Sequence, residues 1–257
     1  INEGRLDKKE PYVIKAENLR LYKDILTDYL ENALSTGVTK NGLERALLNI
    51  NDLPGVSAVS SIEPGVEEGS SKIVLNVVED DLVSGSITLD NHGNRYTAKQ
   101  RNTIKIDFNN PSKIGDKLSI TKTFNAGEKF DFTQFDYEVP VGQSGFKAFA
   151  SASRLEFEIG KELRTNPVSL GNADTIEVGV KYPIQRTNNQ SVFLKTSIEK
   201  KEIYNETTGV LTNDKTLENA KIGLDFEGKN IFQDSSLTGV SVSGIFGDLD
   251  LSKVNSD

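Results

Sequence analysis

The 257-residue sequence contains no cysteine, no methionine and no tryptophan, and His92 is its single histidine. Without cysteine, a disulfide framework, thiolate metal ligands and a cysteine nucleophile are excluded, which suits a periplasm-facing or outer-membrane protein. No apolar run approaches the roughly 18 residues of a membrane-spanning helix. The formal net charge of -8 and the pI near 5.0 argue against nucleic acid as the main partner.

Alternating apolar and polar residues fill the last two-thirds of the chain. Ile176, Val178, Val180 and Tyr182 are separated by single polar or small residues, a period of two that predicts strands with one apolar and one polar face. Nine strands are predicted at about residues 82–90, 96–108, 115–125, 130–139, 145–158, 173–184, 191–204, 215–227 and 237–248. A β-barrel wall needs only its alternate residues to meet lipid, so the pattern predicts an antiparallel transmembrane barrel wall.

The predicted connections alternate between short turns and long polar loops. The two longest, residues 159–172 and 205–214, fall on the same side of the sheet, as the outer loops of such barrels do. The alternation changes phase within 130–139, which either a β-bulge or a loop boundary lying further into the segment would explain. Apolar residues occupy both phases of 145–158, so the sequence does not assign the faces of that strand.

The first 80 residues have a different pattern. Apolar residues at helical spacing between Leu19 and Ala33, and again between Leu43 and Ile50, predict two helices, and Asn41 is the expected N-cap of the second. Strand candidates precede the helices near Tyr12 and follow them at 56–63 and 72–79. The fold class predicted is therefore an α+β module of order β-α-α-β-β over residues 1–80, followed by the barrel wall over residues 81–257.

Several short motifs occur in a fixed order along the chain. They are residues 43–48 (LERALL), 51–56 (NDLPGV), 90–97 (DNHGNRYT), 109–111 (NNP) with Gly115 and Asp116, and 247–251 (GDLDL). Together they resemble the outer-membrane transporters of two-partner secretion, the hemolysin-activation/secretion (TpsB-like) family of the Omp85 superfamily. The first two motifs resemble the second helix and following turn of the family's membrane-proximal POTRA domain, and the others resemble segments of its barrel.

The resemblance implies a non-enzymatic translocator in the bacterial outer membrane, with residues 1–80 in the periplasm. Its partners would be a secreted TpsA-like exoprotein in extended form and outer-membrane lipid, and no nucleic acid or cofactor is expected. Family members also have a plug helix, another POTRA domain and a sixteen-stranded barrel. We therefore expect the sequence to be a fragment that is inactive by itself.

The POTRA resemblance directs attention to an exposed strand edge beside a helix, where an extended client can add a strand. The candidate client-binding residues are Val56, Ala58, Val59 and Ile62 on the strand, with Ile25 and Tyr29 on the helix. The alternative is that these side chains only form the domain core.

Charged residues on the polar phase of the strands are candidates for the pore lining. They are Lys99, Arg101, Lys105, Asp107, Glu177, Lys181, Lys221 and Asp225. A solvated strand face is the alternative interpretation of the same pattern, and within a barrel the two are nearly the same claim. We predict no catalytic residue and no metal site, because His92 has no partner ligands and the aspartates lack the spacing of a calcium loop.

Two other functions stay open at this point. One is an Omp85-type factor that assembles outer-membrane proteins. The other is a soluble β-rich surface adhesin or binding module, whose strands would need to pack their apolar faces against a second layer.

Overall fold

A computed structural model of the protein describes residues 5–35, 37–125, 127, 129–231 and 234–251. The chain begins with a small domain that contains two helices and a four-stranded sheet. Its elements are β1 (Arg5–Leu6), β2 (Tyr12–Ala16), α1 (Lys23–Leu34), α2 (Lys40–Asn51), β3 (Val56–Pro64) and β4 (Ser70–Glu79). Within the described ranges, no helix is long and apolar enough to cross a membrane.

The core of the small domain lies between the helices and one face of the sheet. Leu26 and Leu30 of α1, Ile50 of α2, and Ile73 and Leu75 of β4 are fully buried there. The burial of these side chains joins helix and sheet into one module, as the sequence pattern predicts. The cap of α2 differs from the prediction: Thr39, not Asn41, is the N-cap, because its hydroxyl accepts a hydrogen bond from the Gly42 N–H at 3.0 Å.

The remaining chain forms a second, nine-stranded sheet in which every strand pairs with its neighbour in sequence. We call this sheet the wall. Its strands are β5 (Val83–Asp90), β6 (Arg101–Asn109), β7 (Lys117–Phe124), β8 (Phe130–Pro140), β9 (Lys147–Glu158), β10 (Leu170–Arg186), β11 (Gln190–Thr207), β12 (Val210–Lys229) and β13 (Leu237–Asp250). All of its pairs are antiparallel. The predicted fold class, an α+β module followed by an antiparallel wall, is confirmed.

Residues directly opposite each other in paired strands lie on the same face, so the registers define two faces of the wall. One register row connects Ser84, Asp107, Ser119, Asp136, Ser151, Glu177, Glu199, Asn219 and Gly247. The face that contains this row is called the polar face. The opposite face contains Ile87, Phe135, Val178, Ile198 and Ile222 and is called the apolar face.

The apolar face is uncovered in the described part of the chain. Ile87 is 73% exposed, Ile198 is 64% exposed and Phe246 is 70% exposed. A soluble sandwich would bury such side chains against a second layer. The second layer that the soluble-adhesin alternative requires is not present among the described residues.

The apolar band is inclined to the register rows. One row contains Val83 at the start of β5 and Ala220 in β12. On β5, Val83 marks the lower edge of the apolar residues, the edge next to the small domain. On β12, Ala220 marks their upper edge, because Glu218 is the next residue on the same face, moving away from that domain. A band of constant height can cross the rows in this way only if the strands are tilted, as they are in barrels.

Neither explanation offered for the phase change in 130–139 is correct, because β8 spans Phe130–Pro140 without a bulge or an internal loop boundary. The register of β8 runs without a shift from Phe130 to Pro140 against its neighbours. Phe130 and Phe132 lie on the polar face, while Phe135 and Tyr137 lie on the apolar face. Aromatic side chains on both faces, rather than an extra residue, cause the apparent change of phase.

Strand β9 now has assigned faces. Ala148, Ala150 and Ala152 lie on the apolar face, and Phe149 and Leu155 lie on the polar face. The ring of Phe149 lies over Gly179 of β10, where an added Cβ would meet a ring carbon at 2.5 Å. The absence of a side chain at Gly179 therefore makes room for an aromatic ring on the polar face.

Two connections differ from their predictions. Residues 96–100 are not part of a strand, because the carbonyl of Asn94 accepts hydrogen bonds from the N–H groups of Thr97 and Ala98 and closes a turn. The predicted long loop 205–214 is a hairpin, since β11 extends to Thr207 and β12 starts at Val210. Polar residues on both faces of this extension hide the period of two.

A charged side chain introduced on the apolar face should destabilise the wall, whereas one introduced on the polar face should not. Ile87→Arg would place a guanidinium on the apolar face, and we expect it to destabilise the membrane-inserted wall by about 2–4 kcal/mol if the position is near the bilayer midplane. Thr88→Arg, the next residue on the polar face, is the matched control and should assemble normally. The measurement is the fraction of heat-modifiable folded protein in outer-membrane extracts, and equal assembly of the two variants would contradict the assignment.

Candidate functional site

A groove runs between α2 and β3 on the surface of the small domain. Its volume is about 550 Å³. Its apolar lining consists of Val38, Leu43, Leu47, Leu48 and Ile62, and polar groups line its ends. Strand β3 forms one wall and pairs only with β4, so its other edge faces the groove.

Asn51 occupies part of the free edge of β3. Its side-chain oxygen accepts a hydrogen bond from the Ala58 N–H at 2.8 Å, and its side-chain nitrogen donates to the Ala58 carbonyl at 3.0 Å. The backbone groups of Ala58 therefore point away from β4. By the alternation of an antiparallel pair, those of Ser60 and Ile62 point outward as well.

The usable edge is therefore short. No hydrogen bond from elsewhere in the described chain reaches the outward groups of Ser60 and Ile62. Pro64, the next outward residue, has no N–H. Asn51 at one end and Pro64 at the other thus limit an added strand to the backbone groups between them.

The structure separates the six predicted client-binding residues. Ile25 is partly buried beside the core and does not line the groove, so its role stays a prediction. Val56, Ala58 and Tyr29 are buried in the core, which contradicts their prediction as client-binding residues. The reason is that alternate residues of β3 face the helices, and that α2 rather than α1 lies along β3.

The other two predicted residues are accessible in different places. Ile62 is 58% exposed and lines the groove, and Val59 is 64% exposed but projects from the opposite face of the sheet. The groove residues Leu43 and Leu47 were missed. Their helical spacing was visible in the sequence, but it was interpreted only as a core-facing stripe.

The groove ends at the wall. The backbone N–H of Asn188, in the turn between β10 and β11, donates to Glu44 of α2 at 2.7 Å. Arg186 forms a bidentate pair with Asp52, the C-cap of α2, at 2.8 and 2.7 Å. The Nζ of Lys147 donates to the Asp52 carbonyl at 2.9 Å. Two cations therefore hold the C-terminus of α2, the end of a helix that favours positive charge.

A second junction is buried around Glu79, the last residue of β4. One carboxylate oxygen of Glu79 accepts from the Nη2 of Arg20 at 2.9 Å and from the Nδ2 of Asn110 at 2.8 Å. The other accepts the backbone N–H groups of Arg20 and Leu21. Burial opposes ionisation, but the hydrogen bonds and the charge of Arg20 prevail and hold the pKa of Glu79 below its usual range. Asn110 lies in the turn between β6 and β7, so this carboxylate links the small domain to the wall.

The aromatic core residue Tyr29 also responds to the first junction. Burial, and next the negative charge of Asp52, raise the pKa of Tyr29 to about 12. The phenol therefore stays neutral at physiological pH and belongs to the packed core.

Seven of the eight predicted pore-lining residues share the polar face. Their registers place Arg101, Lys105, Asp107, Glu177, Lys181, Lys221 and Asp225 there. Lys99 is the exception and a wrong prediction, because it lies in the turn before β6. The same periodicity could have identified Lys195 and Glu199, which also project from the polar face.

Most charges on the polar face are paired. Lys221 contacts Glu199 at 2.6 Å and Glu177 at 3.5 Å. Lys105 and Lys117 both lie near Asp107, at 3.4 and 3.5 Å, and Asp225 accepts from the hydroxyl of Ser241. Among the described residues, no group of His, Cys, Asp or Glu side chains could hold a metal ion.

The wall has one apolar face and one polar face, and a small α+β domain is docked on its edge. This combination is that of β-barrel proteins with a domain at the barrel mouth. The family model described as "Haemolysin secretion/activation protein ShlB/FhaC/HecB" matches residues 69–242. The chain therefore belongs to that family of TpsB-type transporters.

Individual relatives are more distant. The heme/hemopexin transporter protein HuxB of Haemophilus influenzae (strain 86-028NP) is 25% identical over 213 residues, which are 82% of this chain and 37% of that protein. The structure of CdiB from Escherichia coli matches with a TM-score of 0.76 at 21% identity, over 99% of this chain and 47% of that one. BamA from Haemophilus ducreyi matches with a TM-score of 0.56 at 9% identity, over 94% of this chain and 49% of that one. The chain thus spans less than half the length of these proteins.

The Arg186–Asp52 pair predicts a defined test of docking. Arg186→Ala leaves Asp52 without its bidentate partner, and we expect docking to weaken by about 2 kcal/mol. Spin labels on Val66→Cys and Val141→Cys, both exposed in a chain without native cysteine, would report a broader distance distribution.

The matched control is Arg154→Ala. It removes an equally bidentate pair, with Asp174 at 2.7 and 2.8 Å, but within the wall. The label distance should then stay as in the unsubstituted chain. If both substitutions broaden the distribution equally, Arg186 has no special part in docking.

The Glu79 junction predicts an acid-sensitive component of docking. Because the folded-state pKa is lowered, this stabilisation is complete above the ordinary carboxyl pKa and is lost as pH falls through the lowered value. The distribution of label distances should therefore stay unchanged above the ordinary carboxyl pKa and broaden only as the pH falls through the lowered pKa of Glu79. In Glu79→Gln the junction is weakened at all pH values, so this acid step should shrink; an unchanged step would assign it to another group.

Proposed function

We propose that this chain is the client-receiving part of an outer-membrane translocator of two-partner secretion. The small domain, residues 1–80, lies in the periplasm and takes up a secreted partner in extended form. The wall, residues 81–257, contributes to a barrel whose apolar face meets outer-membrane lipid and whose polar face lines the path of export. The family match supports the transporter class, and the names HuxB and CdiB are those of transporters.

One observation carries the proposal: the free edge of β3 at Ser60 and Ile62 borders an apolar groove that ends at the wall. Backbone groups bind an extended client with little regard to its sequence, and the groove selects apolar side chains at alternate positions. Since Asn188 closes the groove on the wall side, a client bound there lies beside the entrance to the polar face.

The alternative function is that of an Omp85-type factor that assembles outer-membrane proteins, and the likeness to BamA is one of fold alone. No feature of the described residues favours it over export, whereas the family match is to secretion and activation proteins. We therefore propose export as the function.

Ile62→Pro tests the strand edge directly. It removes an outward N–H without breaking the β3–β4 ladder. We expect export of the partner by the full-length transporter to fall roughly fivefold or more, because the client loses about one hydrogen bond and meets the proline ring. Val59→Pro is a poorer test, because the N–H of Val59 points toward β4 and its loss would damage the domain itself.

Ile62→Val is the matched control, because it keeps the N–H and most of the apolar surface. Secreted and cell-associated partner are quantified, with barrel assembly checked by heat-modifiable mobility. Normal export by a correctly assembled Ile62→Pro variant would exclude this edge as the client site.

A further inference from the structure

Three lysines form a row on the polar face next to the small domain. Lys147 of β9 lies directly opposite Lys181 of β10, and Lys181 lies directly opposite Lys195 of β11. Like charges at directly opposed positions are destabilising in a sheet. A nearby carboxylate would therefore stabilise this row by offsetting the repulsion between the three ammonium groups.

The described chain supplies that group for one lysine. Lys147 contacts Glu138 at 2.7 Å and the Asp52 carbonyl at 2.9 Å. Lys181 and Lys195 form no ion pair with any described carboxylate. Asp52 is held by Arg186 and Asp225 accepts from Ser241, so these two carboxylates have other partners.

Aromatic rings position the two unpaired ammonium groups. The Nζ of Lys181 lies 4.1 Å from the ring centroid of Phe193, and that of Lys195 lies 4.6 Å from the centroid of Phe149. A cation over an aromatic face is fixed without being neutralised. Lys195 is also exposed, and its neighbour in β12 is Gly223, which adds no side chain to cover it.

The row lies close to the client groove. From the groove end at Asn188, the chain leads back to Arg186, whose guanidinium lies 5.9 Å from the ring centroid of Phe193. The same ring carries Lys181. A polypeptide leaving the groove therefore meets these cations at the entrance to the polar face.

We propose that Lys181 and Lys195 bind carboxylate side chains of the extended client as it passes from the small domain to the barrel lumen. This inference rests on the proposed export function and adds a substrate class, clients with acidic residues at alternate positions. Such side chains project from the same side of an extended chain about 7 Å apart, and the lysines stand on strands about 5 Å apart, a difference that their flexible stems can absorb.

The test uses two fluorescent peptides of about ten residues, one with Glu and one with Gln at alternate positions and otherwise identical. Binding to the detergent-solubilised full-length protein is measured by anisotropy at 0.1 M salt. We expect the Glu peptide to bind more tightly than the Gln peptide. The double variant Lys181→Gln/Lys195→Gln should bind it roughly three- to tenfold more weakly. Raising the salt to 1 M should abolish the difference, because screening then acts over about 3 Å.

Two controls show whether the charges of Lys181 and Lys195 themselves bind the peptide, as opposed to the packing of their side chains or the overall charge of the polar face. Lys201→Gln removes a lysine from the same face of β11, further from the small domain, and should leave binding unchanged. Lys181→Arg/Lys195→Arg keeps both charges and should restore it. Equal binding of the two peptides, no binding at all, or full binding by the correctly assembled double Gln variant would each overturn the proposal.

Export of the natural partner distinguishes this site from the proposed function. If the peptide results hold but Ile62→Pro exports normally, the lysine site stands and the groove proposal fails. If Ile62→Pro blocks export while the double Gln variant binds the Glu peptide normally, the export proposal stands and the lysine site is excluded.

Discussion

The side-chain period of two, kept in register across every strand pair of the wall, is the constraint on which the rest of the structure depends. It places carboxylates and lysines on one face and branched apolar side chains on the other through nine successive strands. A slip of one residue in any pair would exchange the faces on one side of that pair. The continuous registers of β8 with both neighbours therefore matter more to this molecule than any single contact.

The two junctions convert this wall into a platform for the small domain. Asp52 and Glu79 stand at the ends of α2 and β4, and each carboxylate reaches a cation or a turn far away in sequence. Both junctions fix the orientation of the small domain on the wall, because bidentate and multiply hydrogen-bonded carboxylates tolerate little rotation. The groove between α2 and β3 is oriented toward the polar face as a result.

The sequence was sufficient for the order of the helices and of the longer strands, although not for the two-residue β1, and for the division into two kinds of sheet. Apolar and polar residues alternate almost without exception in strands such as β10 and β12. Such alternation is expected only of a sheet that has one apolar face and one polar face. It failed where polar residues occupy both phases, as in the hairpin around Thr208, and where aromatic residues do so, as in β8.

The candidate site was less predictable, for a physical reason. Alternation along β3 could not tell which phase faced the helices, so the core residues Val56 and Ala58 were grouped with the exposed Val59. The role of Asn51 depends on a side chain reaching a strand edge, and the Arg186–Asp52 pair joins residues 134 apart in sequence. The lysine row needed only the registers of three hairpin-connected strands, yet those registers follow from turn lengths that the sequence left ambiguous.

The side chain of Asn51 forms hydrogen bonds like those of a neighbouring strand, and this has a kinetic consequence for the proposed client site. A docking edge that is closed at one end by an amide and at the other by a proline can hold a passing chain by only a few backbone bonds. Binding by so few hydrogen bonds is weak and dissociates quickly, so a long polypeptide can dissociate and bind again further along its length. A longer open edge would hold its cargo more firmly and would slow every subsequent step.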